Sequence, residues 1–178
     1  MGYQGHKGQN RVRGSTMKIE YFGDFGTRVP VELNEDGVID EDVIKTFVCG
    51  HCHSFALTLH KKTGWPIVGF ICEETNDTPN SPGHCAVYCP QLDDYIDVSG
   101  PGAFERYRDD NGDTEVKFFA VEEIPQFDGY LPLRTEVAEP FAETVLHELL
   151  DIHGEAVLQR DWRQYGTDRQ CDSGPFQS

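Results

Sequence analysis

The segment from Cys52 to Thr63 has the clearest helical pattern in the chain, and the residues that follow it narrow the folds available. Three apolar residues recur within it at helical spacing, namely Phe55, Ala56 and Leu59. Two lysines lie near its end and Gly64 follows, which is typical of a helix C-terminus. The next segment, residues 66–72, is apolar and rich in β-branched residues, as buried strands are. The sequence therefore predicts a helix that leads directly into a strand of a sheet.

Two further segments, residues 84–89 and 95–98, predict a β-hairpin around residues 90–93. Side chains alternate across a strand, and a loop of even length sets even positions of the first strand opposite odd positions of the second. One face should then carry His84, Ala86, Tyr88, Tyr95, Asp97 and Ser99, and the other Cys85, Val87, Cys89, Ile96 and Val98. This register predicts a polar and aromatic face, and an apolar core face in which the cysteines are ordinary buried residues.

Weaker patterns predict a strand over residues 18–22 with a glycine-rich turn after it, short helices over 40–47 and 101–108, a strand over 116–121 and an amphipathic helix over 139–153. A helix, then a run of strands, then a helix is typical of an α+β fold with a mainly antiparallel sheet. We expect one domain over residues 17–165, since a chain of 178 residues suits a single hydrophobic core. Residues 1–16 are expected to form a flexible basic arm, and residues 166–178 a polar tail.

The net charge of −16 at pH 7 argues against a nucleic-acid-binding surface, because phosphate contacts need clustered lysine and arginine. The longest apolar run, residues 65–72, is too short to span a bilayer, so we expect no membrane insertion. No charged and then apolar leader opens the chain, which favours a cytoplasmic protein. Six cysteines in such a setting predict free thiols rather than a disulfide framework. The sequence gives no indication of the oligomeric state.

Cys52, His84 and Asp97 stand in the order that a thiol nucleophile, its base and the group that orients the base can take. A helix N-terminus and a nearby imidazolium both lower the pKa of a thiol, and Cys52 is predicted at such an N-terminus. His84 begins the hairpin, and Asp97 shares its face, so the carboxylate can fix the imidazole tautomer. The backbone N–H of Cys52 is the leading donor for an oxyanion.

The same region is dense in metal-ligand residue types, which keeps a zinc site open as an alternative. Cys85 and Cys89 do not suit one zinc ion, because residues four apart in a strand are separated by about 13 Å. A mixed site would instead draw its ligands from Cys49, Cys52, His51, His53 and His84. In that case the protein would be a binding or structural module.

Three stretches resemble papain-like cysteine hydrolases: Gly50 to Ile67, Gly83 to Tyr88 and Tyr95 to Gly100. The likeness is to small bacterial and phage-type domains of the group that includes the NlpC/P60 and transglutaminase-like enzymes. It implies a papain-like fold, with Cys52 as nucleophile, His84 as base and Asp97 as orienting group. It also implies a peptide or protein substrate and no cofactor, although Cys49, His51 and His53 are not part of the family pattern.

Two functions from different classes follow from these observations. The first is a thiol hydrolase or acyl transferase that acts on a peptide or isopeptide amide through an acyl-cysteine. The second is a non-catalytic module whose cysteines and histidines hold zinc or only pack. The polar loop over residues 73–83 is a connector or a lid on either hypothesis.

Overall fold

The computed structural model describes residues 15–72 and 81–158. Its strands are β1 Thr16–Phe22, β2 Arg28–Asn34, β3 Ile67–Ile71, β4 His84–Cys89, β5 Asp94–Asp97, β6 Gly100–Pro101 and β7 Glu115–Phe119. Its helices are α1 Glu41–Val48, α2 Cys52–Thr63, α3 Ala103–Asn111 and α4 Thr135–His153, with short 3-10 segments at Asp24–Gly26, Val121–Gln126 and Glu155–Leu158. The order confirms a mixed α+β chain.

Five strands form an antiparallel sheet in the order β6-β5-β4-β3-β7. The central strand β4 pairs with β3 on one side, where Phe70 lies opposite His84, and with β5 on the other. Strands β1 and β2 form a separate antiparallel hairpin that packs on α1. The antiparallel sheet predicted from the sequence is therefore present.

Helix α2 begins at Cys52 and ends at Thr63, as the sequence predicts. Gly64 follows in the left-handed conformation, with φ of 76°, and its N–H donates to the carbonyl of His60 at 2.7 Å. The helix packs on β4 and on α4, so nearly its whole surface is buried. Full burial of one large apolar side chain such as Leu59 contributes about 1.5–3 kcal/mol, which is why this helix anchors the main core.

The hairpin register is the predicted one: Val87 pairs with Ile96, and Tyr88 pairs with Tyr95. The main core cluster under α2 includes the odd face of β4 and its partners, namely Cys85, Val87, Cys89, Ile96 and Val98. The opposite face holds Ala86 in a second apolar cluster, with Tyr88 and Tyr95 packed against it. Helix α3 covers part of this second face of the sheet. The face is therefore aromatic and buried rather than open and polar.

Several boundaries differ from the prediction. Strand β2 was not predicted. Thr16, which the prediction assigned to the flexible arm, belongs to β1 and pairs with Asn34 of β2. Proline is tolerated at position 30 because β2 is an edge strand, where an N–H donor is not required. Helix α4 begins at Thr135 rather than at residue 139, so Pro140 lies inside the helix instead of at its first turn.

Other predictions fall outside the described residues. They concern residues 1–14 of the arm, most of the loop over residues 73–83, and the tail over residues 166–178. Among the helices in the described part of the chain, none combines the length and the apolar character that crossing a bilayer requires.

Candidate active site

Cys52 is the first residue of α2, where the positive end of the helix dipole lies. The carbonyl of His51, the N-cap residue, accepts hydrogen bonds from the N–H groups of Ser54 and Phe55 at 2.9 Å and 3.2 Å. The N–H of Cys52 has no acceptor among the described residues. It is therefore free to donate to an oxygen that develops negative charge beside the sulfur.

Gly50 fixes how the chain enters this helix. Its φ of 116° lies in the region that favours glycine. A Cβ atom at position 50 would come within 2.8 Å of the Phe22 ring and 2.9 Å of the Leu131 side chain. Glycine is therefore required at position 50 both by the backbone conformation and by the side chains packed beside it.

His84 and Asp97 meet across the sheet next to this helix. Nε2 of His84 lies 3.0 Å from Oδ2 of Asp97. Exposure is only 3% for His84 and 6% for Asp97, so water screens the interaction little. Because Nε2 interacts with the Asp97 carboxylate, Nδ1 is the ring nitrogen of His84 that remains available to exchange a proton with another group.

The carboxylate of Asp97 is held by two further donors. Its Oδ1 accepts from the backbone N–H of Ser99 at 2.8 Å and from Nη2 of Arg106 at 2.8 Å. Burial raises the pKa of Asp97, but the contacts with His84 and Arg106 outweigh it and hold that pKa below the ordinary value. Arg106 also donates to the carbonyls of Gly100 and Pro101, so the guanidinium ties the turn after β5 to the site.

Cys52 is only 2% exposed, and its sulfur interacts with His84. Nδ1 of His84 is buried and has no hydrogen-bond partner among the described residues, while the ring interacts with the sulfur of Cys52. Burial raises the pKa of Cys52, yet interactions with Cys85, His53 and His84 bring that pKa well below the ordinary value. Burial lowers the pKa of His84, while Asp97 and Cys52 raise it to about 10. The lowered pKa of Cys52 and the raised pKa of His84 both favour a thiolate–imidazolium pair at neutral pH.

Two further side chains, those of Cys85 and His53, interact with the sulfur of Cys52. Cys85 lies on the opposite face of β4 from His84, is buried, and its thiol interacts with the sulfur of Cys52. The ring of His53, the next residue along α2, also interacts with the sulfur. It is buried and packs edge-on against Tyr130, with ring centroids 4.8 Å apart.

Tyr130 and Arg106 complete the surroundings of the site, and sequence reasoning found neither. The hydroxyl of Tyr130 donates to the carbonyl of Pro82 and lies 3.8 Å from Sγ of Cys85. Tyr130 belongs to an irregular segment between the 3-10 segment after β7 and helix α4, which has no periodic pattern. The position of Arg106 on a short helix soon after Asp97 in the sequence was the only indication of its role. No local sequence rule pairs it with the carboxylate.

The residues proposed as zinc ligands have other surroundings. Nε2 of His51 lies 3.0 Å from the carbonyl of Glu20, and burial together with His53 lowers the pKa of His51 to about 4. Cys49 is the C-cap residue that follows α1, and it is half-buried. Among residues 15–72 and 81–158, no group of three or more His, Cys, Asp or Glu side chains is arranged to hold a metal ion.

The structure thus brings together the three residues predicted as nucleophile, base and orienting group. Cys52, His84 and Asp97 form a continuous buried chain, and Arg106 extends it at the carboxylate end. His60, by contrast, contacts the carbonyl of Trp65 through Nδ1 at 2.7 Å and takes no part. Comparisons with known proteins add no assignment to this geometry: no protein-family model, curated protein sequence or solved structure matches the chain.

Proposed function

We propose that this protein is a cysteine-dependent hydrolase or acyl transferase that acts on a peptide or isopeptide amide. The observation that carries the proposal is the buried chain Cys52–His84–Asp97, with its sulfur at a helix N-terminus. An ordinary buried cysteine has a raised pKa, since an apolar surrounding disfavours the thiolate. The pKa of Cys52 moves the other way, which is expected of a nucleophile.

The chemistry follows from these positions. The Cys52 thiolate attacks the amide carbonyl carbon, a C–S bond forms, and the carbonyl oxygen becomes an oxyanion that accepts from the N–H of Cys52. Nδ1–H of the His84 imidazolium then gives its proton to the amide nitrogen, and the C–N bond breaks. Water or a second amine, deprotonated by His84, then attacks the acyl carbon, the C–S bond breaks, and Cys52 leaves as the thiolate as the product is released. Asp97 stabilises the imidazolium throughout.

A papain-like arrangement is the finer description of the fold that we propose. Its support is a nucleophile on the first residue of a helix, packed on an antiparallel sheet that supplies the histidine and the carboxylate from adjacent strands. The resemblance to bacterial and phage-type domains belongs to the same proposal. We also place the protein in a reducing compartment such as the cytoplasm, because Cys52 must be reduced to act and the five described cysteines are free thiols.

The test is the rate of alkylation at Cys52, measured by mass spectrometry of its peptide after short exposure to iodoacetamide. We expect Cys52 to react faster near neutral pH than the thiol of an unstructured peptide, because a larger fraction is thiolate. His84→Ala should slow the reaction at Cys52, whereas the matched control His147→Ala, an exposed histidine on α4, should leave it unchanged. Reaction at the rate of the peptide thiol would refute the proposal.

A further inference from the structure

A cleft of about 660 Å³ borders the residue that precedes helix α2, and the proposed mechanism does not use it. One wall is the exposed face of the β1–β2 hairpin, which carries Lys18 and Arg28, and the other is the segment that carries Leu131 and Arg134. The buried ring of His51 forms part of its floor. We call this space the β1 cleft. Its volume falls within the range of about 300–1,000 Å³ that is typical of ligand sites.

Both walls of the β1 cleft are hydrogen-bonded to the chain on either side of Cys52. The four bonds run from the Phe22 N–H to the Cys49 carbonyl at 2.8 Å, from Nε2 of His51 to the Glu20 carbonyl at 3.0 Å, from the Leu131 N–H to the Gly50 carbonyl at 3.3 Å, and from the Arg134 N–H to Oγ of Ser54 at 3.0 Å. His51 lies in the floor of the cleft and directly precedes Cys52 in the chain. A ligand in the cleft therefore lies next to the residue proposed as nucleophile.

Strand β1 has an open edge along this cleft. Glu20 and Phe22 turn their main-chain groups away from β2 and toward residues 49–51. Because such groups alternate in direction along an antiparallel strand, those of Lys18 face the same edge, about 7 Å further along. They make no hydrogen bond outside the β1–β2 pair in the described part of the chain. An open edge of this kind can pair with the main chain of an extended peptide.

The charges around the β1 cleft favour an acidic peptide. Three basic and two acidic side chains line the cleft, so it is net positive on a chain whose net charge is −16. Arg134 contacts Glu136 through Nε, and its two Nη groups have no acceptor among the described residues. A guanidinium with both Nη groups available suits a carboxylate that accepts through two oxygens. The other two basic side chains are held only by ion pairs between exposed groups, with N–O distances of 3.4 Å and 3.7 Å, which are weak.

We infer that the β1 cleft binds an extended acidic peptide segment, whose main chain pairs with the open edge of β1 and whose carboxylate is bound by Arg134. The segment lies beside β1 as a third strand and leads toward His51 and the first turn of α2. Main-chain pairing gives affinity for an extended segment, and the contact with Arg134 gives the preference for an acidic side chain. That this segment belongs to the substrate rests on the proposed function, whereas its binding can be measured without turnover.

The experiment uses the immobilised full-length Cys52→Ala variant, so that captured peptides are not cleaved. The probe is an equimolar synthetic library of acetylated heptapeptide amides, and mass spectrometry identifies the captured peptides. We expect Asp or Glu to be enriched at one position. Arg134→Gln, added to this variant, should lower that enrichment about tenfold because a charged hydrogen bond is lost. The matched control Arg108→Gln, which changes an exposed arginine on α3, should leave the enrichment unchanged.

A second measurement tests the pairing with β1 without changing the protein. The most enriched peptide is resynthesised with a single N-methyl group, placed in turn on each amide nitrogen. We expect N-methylation to weaken binding at every second residue, because only those N–H groups face the neighbouring strand. Equal tolerance at all positions overturns the inference. So does the capture of no peptide, or an acidic preference that Arg134→Gln does not change.

A third measurement separates this inference from the proposed function. In the wild-type protein, the captured peptide should slow the alkylation of Cys52 by iodoacetamide, and an unchanged rate overturns the inference. If Cys52 alkylates rapidly but no acidic peptide is captured, the proposed function stands and the inference fails. If acidic peptides bind through Arg134 and slow the alkylation of Cys52, although Cys52 alone reacts no faster than a peptide thiol, the inference stands and the proposed function fails.

Discussion

Replacement of Asp97 by asparagine tests the site most directly, because it removes one charge and almost no volume. The carboxylate lies 3.0 Å from Nε2 of His84 and is 6% exposed. An asparagine can turn an NH₂ group toward Nε2, which then becomes an acceptor and leaves the proton on Nδ1. His84 in that tautomer no longer takes the proton of Cys52. Asp97→Asn should therefore weaken the thiolate without unfolding the site.

The size of the effect follows from the charged hydrogen bond that is lost. Hydrogen bonds to charged groups contribute about 1.5–3 kcal/mol. The neutral thiol–imidazole pair and the thiolate–imidazolium pair contain the same number of protons, so their ratio does not depend on pH. A loss of about 1.5–3 kcal/mol shifts this ratio toward the neutral pair by about 10- to 150-fold, since about 1.4 kcal/mol is tenfold. We expect the rate of Cys52 alkylation near neutral pH to fall by a similar factor.

The assay is the second-order rate constant for iodoacetamide at Cys52, with Asp93→Asn as the matched control. Asp93 lies in the loop of the same hairpin, is exposed, and has φ of 52°, a conformation that asparagine also tolerates. It contacts the hydroxyl of Tyr88 rather than His84. Equal rate constants for Asp97→Asn and the wild type across neutral pH would refute the role assigned to the carboxylate. An equally large decrease in the rate constant for Asp93→Asn would indicate that the loss of one negative charge, rather than the loss of the Asp97–His84 interaction, causes the effect.

Three further predictions test the pKa values, the metal alternative and the core. Because the pKa of Cys52 is lowered, its alkylation should continue at pH values below the pKa of an ordinary thiol and decline only as the pH falls through the lowered pKa. A pH–rate profile with its midpoint at or above about 8.5, the pKa of a free thiol, would contradict this prediction. EDTA should change neither the melting temperature nor the alkylation rate of the purified protein, and one tightly held zinc ion per chain would favour the metal module instead. Phe141→Ala, on the core face of α4, should lower the free energy of unfolding in urea by about 3–5 kcal/mol. Ile152→Ala, on the exposed side of the same helix, should change it by less than about 0.5 kcal/mol. Similar losses for the two variants would contradict the packing described.

The sequence was most informative where local rules and burial agree. Helix α2 has a glycine at its end and apolar residues at helical spacing, and both of its bounds were predicted. The two faces of the hairpin followed from strand alternation and an even loop, and pairs such as Val87 with Ile96 confirm that register. From these two elements alone, Cys52, His84 and Asp97 could be expected near one another.

The remainder depends on contacts that no local pattern encodes. Strand β2 alternates apolar and polar residues but contains Pro30, which is tolerated because β2 is an edge strand. Tyr130 reaches the site from an irregular segment, and its position is fixed by contacts with Pro82 and His53, which are distant in sequence. Cys85 lies on the core face, as strand alternation predicted, but alternation alone does not show which side chains of other elements it meets there.

The close contacts around Gly50 have a consequence for how this chain can evolve. Phe22 comes from the first strand and Leu131 from a segment more than a hundred positions later, and both occupy the space beside the glycine. A larger residue at position 50 would have to displace one of them, and a change in the bulk of either would have to be matched by the other. When homologous chains are aligned, glycine should be invariant there while the two flanking positions vary together in size. Substitutions in the amino-terminal hairpin are thereby linked to how the chain enters α2 at its first residue.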